Sequence, residues 1–85
     1  MINKEQNPVG WAMLMHELND AREHLSNLIT ESQNTPEYDE VNLRVDLGHV
    51  YSHLNRAWHH RNKSGDISEP EWVESSKFPT DLEPI

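Results

Sequence analysis

The sequence predicts an all-α protein: an antiparallel helical hairpin of two long helices, followed by an extended acidic C-terminal arm. Two copies are expected to join as a four-helix bundle. Three observations carry this reading. Apolar residues recur at helical spacing in two long stretches, an Asn-Pro or Thr-Pro pair opens each stretch, and only a few residues separate them. No alternating run of strand length competes.

Residues 1–7 form a short N-terminal lead. Asn7–Pro8 then reads as an N-cap followed by proline at the first helical position, where its missing N–H costs nothing. Trp11, Leu14, Leu18, Ala21, Leu25 and Leu28 follow at alternating spacings of three and four, widened by Met15 and Ile29. This predicts a helix over 8–32 with one buried face. Thr35–Pro36 repeats the cap signature. Leu43, Leu47, Val50, Leu54 and Ala57 carry the second stripe, with Tyr51 and Trp58 beside it. They predict a helix over 36–63, closed by Gly65 at the C′ position. Two long helices with so short a connection must turn back on each other, so 8–63 is one hairpin. Gly48 falls inside the second helix, where glycine costs about 1 kcal/mol relative to alanine. Close approach of another helix is the expected reason.

Residues 64–85 hold Pro70, Pro79 and Pro84, six acidic residues and one lysine. The prolines forbid a long helix, so an extended arm is expected. Its Trp72, Val73 and Phe78 are large apolar groups that a free polar tail does not need. The expectation is that they pack along the hairpin; the alternative is a linear motif for another protein.

Composition narrows the function. The net charge of −8 argues against a nucleic-acid partner, because a phosphate backbone needs a basic face. The absence of cysteine removes disulfides and thiolate metal sites. MINKEQNPVG does not read as a signal peptide, and WAMLM is too short to span a bilayer, so no membrane role is expected and the cytoplasm is the default. The three glycines are isolated, leaving no phosphate-binding loop. Ser26, Ser52 and Ser64 have no readable base-and-orienter arrangement.

Chemistry therefore rests on HVYSHLNRAWHH, residues 49–60, which holds four of the six histidines. At about 100° per residue, His49, His53, Arg56 and His60 form one stripe beside the apolar face, extended by Asp46. His49 and His53 stand at i and i+4, the spacing that lets two imidazoles share an ion, with Asp46 as a third ligand. Zinc, nickel or copper would suit such a set. A closed site needs a fourth ligand; helix 1 offers His16, Asp20, Glu23 and His24, but His16, Asp20 and Glu23 point away from the Leu14/Leu18/Leu25 stripe, into water. No Glu-x-x-His motif of the di-metal carboxylate bundles is present. The stripe is accordingly expected to be a polar flank, with no cofactor bound. A divalent transition metal on Asp46, His49 and His53 is the alternative.

The combined expectation is a noncatalytic interaction or scaffold module. It associates with itself as a homodimer and presents Trp11, Tyr51, Trp58, Trp72 and Phe78 as interaction residues, to its own copy or to another protein.

Overall fold

The computed structural model describes residues 1–85 and contains three helices and no strand: α1 (Pro8–Asn34), α2 (Glu40–His59) and α3 (Glu69–Ser75). α1 and α2 pack against each other as an antiparallel hairpin, and α3 lies against α2. The predicted hairpin is thus present, with its ends moved. Asn7 does occupy the N-cap of α1, but its side chain makes no bond to the helix. It accepts from the Asn3 N–H at 3.3 Å instead, closing a turn over residues 3–7.

α2 starts later than Thr35–Pro36 predicts. Residues 35–38 form a turn, with the Tyr38 N–H donating to the Thr35 carbonyl at 3.0 Å. The cap is Asp39. Its carboxylate accepts from the Val41 and Asn42 N–H groups, and the Asn42 side chain accepts from the Asp39 N–H, a reciprocal capping box. A charged acceptor with a partner three residues on outcompetes threonine for that place. α2 also ends sooner, at His59, and Gly65 is not its terminator, since no glycine has a positive φ. The Arg61 carbonyl accepts from the Ile2 N–H at 2.9 Å, and this draws the chain off the helix axis.

Close approach does occur at a glycine, but not at Gly48. A β-carbon on Gly48 would meet nothing within 4 Å. On Gly10 it would collide with the Lys63 carbonyl oxygen and stand 3.0 Å from the Ser64 α-carbon. The segment leaving α2 crosses the start of α1 there. Ile2 is buried beside it and packs with Leu14 and Ala57, flanked by Trp11 and Met15.

The arm is not fully extended. Proline opens a short helix as readily as it forbids a long one. Ser68 caps α3 by accepting from the Glu71 N–H, Pro70 sits in the first turn, and Glu69 and Glu71 face the positive end of the helix dipole. The arm then steps around α2. Lys63 pairs with Glu71 at 2.9 Å, Asn55 donates to the Ser76 carbonyl at 2.8 Å, and His59 donates to the Lys77 carbonyl at 3.0 Å. Phe78 meets Tyr51 edge to face at 5.1 Å, and Trp58 Nε1–H donates to Asp81 at 2.8 Å. His60 joins this set through Ser75 at 2.7 Å. The Ser75 hydroxyl proton already goes to the Trp72 carbonyl, so His60 Nε2–H is the donor.

The core is thin. Leu14, Ala21, Leu28, Val50 and Ala57 are buried along the hairpin, yet no side chain is completely sealed from solvent. Leu18, Leu25 and Leu54 stay 40–42% exposed and Ile29 49% exposed.

The two glycines therefore respond oppositely to alanine. Gly48→Ala is expected to stabilise by up to about 1 kcal/mol, raising the melting temperature by several degrees, while Gly10→Ala lowers it. Thermal unfolding of both variants measures this, and a Gly10→Ala melting point at or above the parent's refutes the close approach. A second expectation concerns acid. Burial holds His60 below its ordinary value of 6.5. Its contribution to stability is full above that value and is lost as pH falls below it, because the unfolded chain takes up the proton first. The Lys63 and Ser68 bonds hold Glu71 below 4.5, and the Trp58 bond holds Asp81 below 3.8, so their contributions are lost at still lower pH. Melting temperature should fall in two stages, with His60→Gln removing the upper one. An unchanged slope between about pH 5 and 7 in that variant would contradict the assignment.

Candidate functional site

The predicted histidine stripe lies along the edge where α2 meets α1. His53 is half-buried there, and His49 is exposed one turn earlier. Across from them stands His24 of α1, its ring centre 5.0 Å from that of His53 and 5.6 Å from that of His49. His53 Nδ1 is 2.9 Å from Glu17 Oε1. It is also 3.0 Å from an Arg56 Nη atom. One ring nitrogen cannot both donate to the carboxylate and accept from the guanidinium. Arg56 already donates to Glu17 through Nε, so the consistent assignment is His53 Nδ1–H donating to Glu17. The Nε2 lone pair is then left free.

Asp46 does not join this group. Its carboxylate accepts the Tyr38 hydroxyl at 2.7 Å. Burial, and then that acceptor, push the Tyr38 hydroxyl up to about 12, so the phenol keeps donating. Asp20 takes the place expected of Asp46: ligating atoms of Glu17, Asp20 and His53 all lie within 4.8 Å of one another. The expectation that Asp20 points into water is thereby corrected, while His16 and Glu23 are indeed exposed. His16 reaches back along α1 to Asp20 at 3.2 Å.

Arg56 is the most buried charged side chain, with 3% of the residue exposed. Glu17 answers its charge from α1, and the Trp72 ring covers it, 3.9 Å from the guanidinium carbon to the ring centre. A largely apolar recess of about 360 Å³ opens beside this pair, bordered by Leu14, Ala57, Ile67 and Trp72. Of its polar groups, Glu17 and Arg56 pair with each other, His16 with Asp20 and His60 with Ser75.

The aromatic residues expected to face a partner each have a contact within the chain, and Tyr51, Trp72 and Phe78 also remain 45–67% exposed. Trp11 packs on the Ile2/Leu14/Ala57 core. Tyr51 and Phe78 contact each other, and Trp58 lies between Asp81 and Arg61, whose guanidinium stacks 3.8 Å from the ring centre. Glu17 escaped sequence reading, and Asp20 and His24, weighed there as ligands from helix 1, were not paired with each other, although the signal was there. Asp20-x-x-x-His24 repeats on α1 the i,i+4 spacing of His49-x-x-x-His53 on α2.

Breaking the buried pair from one side should be costly. Glu17→Ala is expected to destabilise by about 3 kcal/mol, since it strands the guanidinium. Glu17→Leu combined with Arg56→Met should recover most of that loss in urea unfolding. Strictly additive losses would mean that the two side chains are not coupled. No protein-family model, no curated protein and no solved structure matches this chain.

Proposed function

We propose that the chain is a noncatalytic interaction module that associates with itself as an isologous four-helix bundle. The observation that carries the reading is the apolar flank left open on the hairpin. Leu18, Leu25 and Ile29 of α1 and Leu43 and Leu54 of α2 are 38–49% exposed. At about 100° per residue they lie beside the buried stripes, on the side away from Glu17 and His24. Burying a large aliphatic side chain fully contributes about 1.5–3 kcal/mol, so closing this flank is the largest gain in stability open to the molecule.

Size supports a second copy as the occupant. α1 and α2, of 27 and 20 residues, run about 40 Å and about 30 Å and are each about 10 Å across, so together they present a face of roughly 700 Å². A standard interface covers about 800 Å² per partner. The arm reaches the α2 side of this flank, where Phe78 contacts Tyr51 and Phe78, Leu82 and Ile85 border a recess with Leu54; no residue of α1 lines that recess. A two-fold axis across the open leucines would pair like with like and satisfy both copies at once.

The reading extends to surroundings. No helix is long and apolar enough to cross a membrane, and a chain of charge −8 repels nucleic acid. We propose on this footing a soluble, cytoplasmic scaffold whose acidic arm edges the bundle. Each copy also repels the other, so association should tighten with salt as screening shortens to about 8 Å near 0.15 M.

Sedimentation at micromolar concentration should give a dimer mass. Leu18→Glu with Leu25→Glu should give a monomer that retains its helical circular dichroism. A clean monomer mass for the parent at every salt concentration would end the proposal.

A further inference from the structure

We propose that the opposite, polar flank binds one divalent transition metal ion of the zinc class between α1 and α2, with Asp20, His24, His49 and His53 as ligands and Glu17 orienting His53. The inference goes beyond self-association and does not rest on it, because every ligand comes from one hairpin.

The spacing is the first support. Side chains at i and i+4 stand one above the other on a helix. α1 offers Asp20 and His24, α2 offers His49 and His53, and the antiparallel hairpin sets the two pairs facing. Four ligands from two rigid helices is the number a tetrahedral ion needs.

The distances are the second. With imidazole nitrogens about 2.0–2.1 Å from a tetrahedral ion, ring centres fall roughly 5 Å apart. His24 stands 5.0 Å from His53 and 5.6 Å from His49 by that measure. Asp20 and His53 bring ligating atoms within 4.8 Å of each other. The His24 and His53 rings are stacked with 23° between their planes and the His24 and His49 rings are tilted by 60°, so taking up an ion requires the exposed His24 and His49 rings to turn until their nitrogens face Asp20 and His53.

The third support is the Glu17 contact. Histidine ligands commonly donate their second ring N–H to a carboxylate, which fixes the tautomer and makes the other nitrogen a better donor. Glu17 does this to His53 Nδ1 at 2.9 Å. His16 holds the Asp20 carboxylate in the same manner at 3.2 Å.

Electrostatics permit the ion. The nearest cation is Arg56, and its charge is answered by Glu17. Asp20 then supplies the ligand charge, within a chain of net charge −8. Three imidazoles with one carboxylate favour zinc over the hard cations magnesium and calcium, which prefer oxygen alone.

The test uses the full chain without an affinity tag, titrated with zinc ion alone against a chromogenic chelator. The expected result is one ion per chain with a dissociation constant of about 1 µM or tighter. His24→Ala and Asp20→Asn, both on accessible side chains, should weaken binding more than the roughly 10–100-fold that follows from losing an outer partner. Glu17→Gln should fall within that smaller range, while His59→Ala leaves binding unchanged. The Leu18→Glu/Leu25→Glu monomer should bind as the parent does, so failure here and failure of self-association are separable. Binding that is substoichiometric, or that falls as far in His59→Ala as in His24→Ala, would show adventitious uptake and overturn the proposal. Unchanged affinity in His24→Ala would overturn it too, since that ring bridges the two helices.

Discussion

The buried guanidinium of Arg56 is the constraint around which the other elements arrange themselves. A charge that is 3% exposed cannot be left without a counter-charge, because removing it from water costs several kcal/mol. Glu17 supplies that charge from α1 and so fixes the register of the hairpin. Trp72 seals the outer side and so fixes where the arm begins its path around α2. His53 donates to the same carboxylate, which ties the histidine stripe to the pair. One side chain thus joins both long helices and α3.

The small residues at the helix contact explain the remainder of the geometry. Ala21 and Ala57 are both buried between α1 and α2, and small side chains let two helices approach closely. The buried residues Leu14, Ala21 and Leu28 define a line turned by about 40° from the Leu14/Leu18/Leu25 stripe. That rotation exposes Leu18 and Leu25 on one flank and carries Glu17, Asp20 and His24 to the other. The apolar flank and the ligand cluster are two consequences of a single packing choice.

Sequence reading recovered what depends on periodicity. Two stripes of apolar residues gave two helices, and a short connection gave their antiparallel packing. It did not recover what depends on competition between local groups: Asp39 taking the cap from Thr35, Ile2 claiming the Arg61 carbonyl, or Pro70 opening a helix instead of preventing one. The glycines show the limit clearly. Gly48 looks costly inside a helix yet touches nothing, whereas Gly10 looks ordinary yet lies under a crossing segment that only the tertiary fold creates. Asp20 was misplaced for a related reason. Its expected direction is set from the Leu14/Leu18/Leu25 stripe, whereas α1 is buried along the Leu14/Ala21/Leu28 line.

Hydrophobicity and packing therefore select different faces in this chain, and the difference has consequences. If the helices met along their most apolar line, Leu18 and Leu25 would be buried and Glu17 could not reach Arg56. The observed rotation gives up that burial for a charged contact at the edge of the interface. Buried ion pairs of this kind add little net stability compared with well-packed apolar groups, but they fix one register against its alternatives. The cost is a hairpin with a thin core and leucines left outside it, the flank on which the proposed second copy would close. The two flanks stand on opposite sides, so covering the leucines would leave His24 and His49 open to solvent. The proposed self-association and the proposed ion site therefore do not compete for surface.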